Sequence, residues 1–170
     1  MVSKAKVRSL EDAFFEELKD IYNAEKQILR SLPKLSKKAS HEELKQAFDQ
    51  HRQQTEQHVN RLEKAFEMLG RPARSKRCEG MEGIIEEGQE VMQEAAEPHI
   101  RDASLIGAAQ KMEHYEIAAY GTVCSWAQAL GHQETADLLH QTLIEEKETD
   151  AKLTELAKQM VNREAAAVHA

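Results

Sequence analysis

Apolar residues recur at three- and four-residue steps through almost the whole chain, and they fall into four long series and one short one. The first series is Phe14, Leu18, Ile21, Ile28, Leu32 and Leu35; Ser9 and Asp12 supply a cap and an early acid, and the helix is predicted to run to about Ala39 with a bend at Pro33. Ser40 and Glu43 form a capping-box pair, which starts a second helix at about His41. Its inward series is Leu44, Phe48, His51, Thr55, His58, Leu62 and Ala65, and Leu69-Gly70-Arg71-Pro72 stops it. From Arg71 to Glu97 basic residues and glycines interrupt the pattern, leaving a connector with one short helix, Glu79 to Ala95. Pro98 and Asp102 open a third long helix that closes at Leu130-Gly131. A fourth begins at about Gln133, carrying Leu139, Thr142, Glu146, Thr149, Leu153 and Leu156 inward. Hairpin, long connector, hairpin predicts one all-α domain over residues 1–170, a four-helix bundle with a single long crossover, with 1–8 and 163–170 as frayed tails.

Composition agrees with helices. Charged residues make up 31% and aromatics 5%, whereas strands would call for more β-branched and aromatic side chains. The formal net charge of -7 argues against a surface that wraps nucleic acid, and the one basic cluster, Arg71, Arg74, Lys76 and Arg77, reads as a solvated loop. Cys78 and Cys124 stand far apart without a zinc spacing and read as reduced thiols. No leader-like apolar segment and no run of 18 apolar residues is present, so the expectation is a cytoplasmic protein that engages no membrane.

The third helix changes the picture. Glu113 and Glu116 lie three apart on its apolar face, and a buried carboxylate costs several kcal/mol unless paired or bound to a metal. Each glutamate alone would read as exposed; their joint placement reverses this. Counting outward from a turn at 39, Glu25 is level with His51 and Gln54; from a turn at 131, Glu113 and Glu116 are level with Glu146. Four helices therefore deliver ligand-type groups to one layer. Their mutual repulsion is relieved by divalent cations, and oxygen-rich ligation with one imidazole suits iron or manganese better than zinc or copper. The candidate metal residues are Glu25, His51, Gln54, Glu113, Glu116, Glu146 and Asp150, with Gln54 and Asp150 also readable as groups that orient ligands. His51 could equally be a core histidine bonded to a carboxylate. His58 faces inward two turns away and is expected to pair with a polar neighbour, His114 to face another helix or a partner chain, and Tyr22 and Tyr120 to pack with bonded hydroxyls.

The arrangement resembles the ferritin-like di-iron carboxylate proteins, and more closely the YciE/YciF family, a stress-associated bacterial branch related to rubrerythrin. The resemblance is carried by Asp20-Ile21-Tyr22-Asn23-Ala24-Glu25-Lys26, by His51 with Thr55, by the run Ala109 to Gly121 containing Glu113-His114-Tyr115-Glu116-Ile117-Ala118, and by Glu145-Glu146-Lys147-Glu148-Thr149-Asp150. It implies a ferritin-like bundle holding iron, with ferroxidase or peroxide-scavenging activity toward dioxygen or hydrogen peroxide, and no organic cofactor. Two departures stand out. The Glu-x-x-His pairs of di-iron bundles are missing: the second helix offers His51-x-x-Gln54, and on the fourth Thr149 stands where a histidine is expected, with Asp150 the nearest substitute. The alternatives are a non-catalytic bundle or metal depot whose polar layer fixes structure, and a manganese catalase-like protein. Tyr115, Val123 and Trp126 give the third long helix a second apolar face, from which a homodimer is expected.

Overall fold

The computed structural model describes residues 7–168. Helix α1 spans Leu10–Lys38, α2 Glu42–Met68, α3 Glu79–Glu94, α4 Pro98–Ala129 and α5 Gln133–Leu156. A π turn, Ala157–Val161, joins α5 to a short α6, Asn162–Ala167. The chain thus stays helical through most of the expected C-terminal tail; residues 1–6, 169 and 170 lie outside the described residues. Ser9 caps α1 by accepting from the Asp12 amide at 3.0 Å, and the helix continues unbroken through Pro33. Gly70 and Gly131 take φ of +65° and +82°, the left-handed conformation that ends α2 and α4.

The start of α2 corrects one expectation. Ser40 does not cap it; His41 holds the cap position without a side-chain bond. Instead the Ser40 and His41 amides donate to the buried Asp102 carboxylate at 2.8 and 2.7 Å, so an acid on α4 closes the first hairpin.

The two hairpins, α1/α2 and α4/α5, pack with α1 against α4 and α2 against α5, while the crossover helix α3 covers α1 and α4. Apolar side chains fill each end of the bundle: Ile28, Leu32, Phe48, Leu105 and Leu153 on one side, Phe14, Leu18, Phe66, Val123 and Leu139 on the other. A polar layer lies between them. The apolar residues that suggested a partner-facing side of α4 are used within the chain: Val123 is fully buried, and Tyr115 sits under α3. Its hydroxyl donates to Asp20 at 2.7 Å and lies 3.0 Å from Cys78 Sγ; a Cβ at Gly80 would stand 3.0 Å from its ring, so α3 needs glycine there to come this close. Among the described residues no helix is long and apolar enough to cross a membrane.

Candidate metal centre

Two groups of side chains meet in the polar layer. His51, Glu113, Glu116 and Glu146 form one, Glu25, His58 and Glu146 the other; within each group one ligand-type atom per residue lies within 4.8 Å of the rest. Glu146 belongs to both. All six residues are buried, Glu25, His58 and Glu146 completely. They come from α1, α2, α4 and α5, which is the convergence that the level counting predicts.

His58 is the member that reasoning from sequence placed elsewhere. Its position seven residues after His51 returns it to the same helix face, and side chains lean toward their own helix N-terminus. In an antiparallel hairpin that tilts His58 toward the α1–α2 turn and Glu25 away from it, so residues on different levels meet. Placement by Cα level alone misses this. The histidine does have the polar neighbours expected of it: Nδ1 lies 2.8 Å from Glu146 and 3.5 Å from Glu25, and Nε2 lies 2.8 Å from Glu145. Arg61 grips that same Glu145 with two bonds of 2.7 Å. A carboxylate on one ring nitrogen aims the other at the site, a familiar way of orienting a metal-binding imidazole.

Gln54 and Asp150 do not join the cluster. Gln54 is turned aside, half-buried, and lines a surface cleft. Asp150 accepts from Gln110 at 3.0 Å and lies 3.3 Å from the exposed His114; its effect on the cluster is a field that adds to the upward push on Glu113. The Tyr120 hydroxyl donates to Glu25, and the Tyr22 hydroxyl to Glu63 at 2.6 Å, away from the cluster.

The electrostatics divide the layer. Burial first, then the neighbouring Glu146, push Glu113 well above the usual carboxylate range, and burial with Glu146 and Glu25 does the same to Glu116. Burial lowers His51. Burial also opposes a charge on His58, but contacts with Glu146 and Glu25 outweigh it and raise the ring to about 10. Glu146 goes the other way: burial works against its charge, yet His58 and His51 hold it below its ordinary value.

The atoms that face one another are poorly satisfied. Both ring nitrogens of His51, both oxygens of Glu116 and of Glu146, and one oxygen each of Glu25 and Glu113 are buried without a hydrogen-bond partner. Even the 2.8 Å approach of His58 Nδ1 to Glu146 lacks hydrogen-bond alignment. Orphaned buried polar atoms are rare, because each carries a desolvation cost of about 1–3 kcal/mol. Four carboxylates and two imidazoles with free lone pairs fit one or two hard or borderline divalent cations.

Fold and site together define an all-α ferritin-like bundle with a buried histidine–carboxylate cluster able to hold metal. The profile of the family described as a domain of unknown function (DUF892) matches residues 9–166. Protein YciF of Escherichia coli is 45% identical over 160 residues, 94% of this chain and 96% of that protein. The crystal structure of that stress protein superposes with a TM-score of 0.88, covering 92% of this chain and 99% of the other. YcfI of Rhodopseudomonas palustris, described as a structural protein, matches with a TM-score of 0.87 at 36% identity, covering 91% and 98%. The chain belongs to the DUF892 family and is a relative of YciF, as the resemblance in its sequence implied.

Proposed function

We propose that the chain is a di-metal carboxylate protein, iron the first candidate and manganese the second, that acts on dioxygen or hydrogen peroxide during stress. The observation that carries this reading is the set of unpartnered carboxylate oxygens and imidazole nitrogens converging from four helices. In it Glu25 and His58 would hold one ion and His51, Glu113 and Glu116 the other, with Glu146 between them. When bound, ferrous iron supplies the electrons that reduce dioxygen or peroxide. The protein supplies position and dryness. Tyr120 fixes Glu25 through its hydroxyl, Glu145 and Arg61 fix His58, and Phe48 and Met112 help keep bulk water from the layer. Burial and the neighbouring carboxylates push Glu113 and Glu116 toward the protonated form, so metal loading would compete with protons there.

The test is anaerobic Fe(II) titration followed by admission of oxygen. Oxidation faster than iron in buffer, and lost in Glu113→Ala, is the expected result; equal rates in all three overturn the activity. A second reading has its own support, because the His58–Glu146 pair is charge-balanced without any ion, which suits a stable structural layer or a metal depot. Bound metal with no acceleration of oxidation selects it, and oxygen evolution from peroxide by manganese-loaded protein selects catalase-like turnover. The proposed setting is a cytoplasmic homodimer, and light scattering on the purified chain checks the assembly.

A further inference from the structure

The seam between α2 and α5 holds a feature that the ligand residues leave unexplained. On the surface it opens as a cleft of about 210 Å3, flanked by Gln50 and Gln54 on one side and Glu148 and Lys152 on the other. Behind it lies an interior void of about 10 Å3, room for a single water, that touches both His51 and Glu113. Ala47, Thr149 and Leu153 line the cleft and the void alike, so a wall one side chain thick separates solvent from the site.

We propose that this seam is the route by which a divalent cation reaches the cluster, with Thr149 as its gate; the inference rests on the metal reading above. Thr149 is the position where the di-iron pattern expects a histidine. Ala47 and Thr149 are small, and the Thr149 hydroxyl donates to the Glu145 carbonyl at 3.0 Å, which leaves its oxygen lone pairs free. The Glu148 carboxylate at the mouth is exposed and makes no ion pair among the described residues; with the Gln54 amide and Thr149 it offers a hard cation successive oxygens in exchange for its hydration water. Lys152 opposes entry, since its ammonium spans the mouth to donate to Gln50 at 2.6 Å. The other void that touches Met112, beneath α3, is walled by Leu35, Ile84, Ile85 and Met92 and contains no carboxylate. Ser31 and Gln89 are its neutral polar groups, and the Lys34 ammonium beside them repels a cation.

The experiment is stopped-flow uptake of Co(II) by the metal-free full-length chain, read by the visible absorbance of the bound ion, with stoichiometry from equilibrium titration. Glu148→Lys is expected to slow uptake roughly tenfold at low salt and Lys152→Ala to speed it about threefold, both effects fading as salt rises. Thr149→Phe should slow uptake by about tenfold or more at unchanged stoichiometry, because a close-packed wall has no room for the ring. The two exposed substitutions keep the test valid should the half-buried one disturb folding. Uptake rates for Glu148→Lys and Lys152→Ala within about twofold of the unaltered chain at low salt, with full stoichiometry, overturn the route alone. Absence of Co(II) binding by the unaltered chain overturns the metal reading and the route with it.

Discussion

The two halves of the polar layer are built from the same residue types and held in opposite ways. Around Glu25, His58 and Glu146 the charges are braced: Tyr120 bonds Glu25, Glu145 and Arg61 steady His58, and His58 sits beside Glu146. Around His51, Glu113 and Glu116 no side chain from outside the cluster supplies such a bond among the described residues. Glu146 and part of Glu25 also lack hydrogen bonds, but here both His51 nitrogens and both Glu116 oxygens do, and the one close approach is His51 Nε2 to Glu113 at 3.2 Å. The braced half lives with its charges, as the raised His58 and lowered Glu146 show, while the bare half avoids them, with its glutamates pushed toward the protonated form and His51 toward the neutral one. A buried charge can be met by a counter-charge, a proton or a cation, and here the first two are used side by side. The bare half is where an arriving metal changes most.

The largest expected effect breaks the braced half. Glu146→Leu takes from the His58 cation its closest fully buried counter-charge and leaves Glu25 at 3.5 Å and the rim carboxylate Glu145 at 2.8 Å. Removing one partner of a buried pair typically costs about 3–5 kcal/mol, and the lower end is expected here. Urea unfolding of the metal-free protein measures it, and equilibrium titration should show binding lost in both halves, since Glu146 serves both. In the bare half the sign is opposite. Glu116→Leu removes a buried carboxyl that has no partner, so the metal-free protein should gain about 1–2 kcal/mol while losing affinity for metal. Equal costs for the two leucine substitutions would contradict the asymmetry.

Acidity sharpens the same contrast at intermediate scale. His58 is raised from 6.5 to about 10, so its contribution to stability is complete below 6.5 and is lost as pH climbs through about 10. Glu113 and Glu116 act in the same direction, because groups raised in the folded state stabilise it only while they keep their protons. Glu145 and Glu146 are held low, so what they contribute is lost only as pH falls below the ordinary carboxylate range. The melting temperature of the metal-free protein is therefore expected to decline steadily from pH 6.5 to 10. Bound metal, which replaces the protons of the bare half, should flatten that decline.

The bundle was readable because its cues are local and repeated: the 3.6-residue period, Ser9, and glycines at 70 and 131 that end helices in the left-handed conformation. Five of the cluster residues were readable for a related reason, since antiparallel helices joined by short turns convert chain distance into height. The rest depended on directions that Cα levels do not carry. His58 enters the site through the tilt of its side chain, and Gln54 leaves it because three residues after His51 is 60° short of a full turn on the helix. The start of α2 was misread for the complementary reason: Ser40 satisfies the local rule, but Asp102, far along the chain, takes both amides. Tyr115 reads as part of a second apolar face because the position of α3, which covers it, is not written in α4 itself.

The smallest expected effect concerns the outermost brace. Arg61 holds Glu145, which holds His58, so Arg61→Ala loosens the imidazole without touching it. The Arg61–Glu145 pair lies at the rim of the bundle, its side chains 20% and 26% exposed, where solvent still screens it and keeps its worth to about 1 kcal/mol in urea unfolding. Its effect on metal should be local: the affinity of the ion held by Glu25 and His58 falls a few-fold, within the range seen when orienting partners of metal-binding histidines are removed, while the ion held by His51, Glu113 and Glu116 is unchanged. A two-step Co(II) titration resolves the outcomes. A shift in the first half alone supports separately braced halves, and equal shifts in both would make the layer one network in which the division drawn here has no energetic meaning.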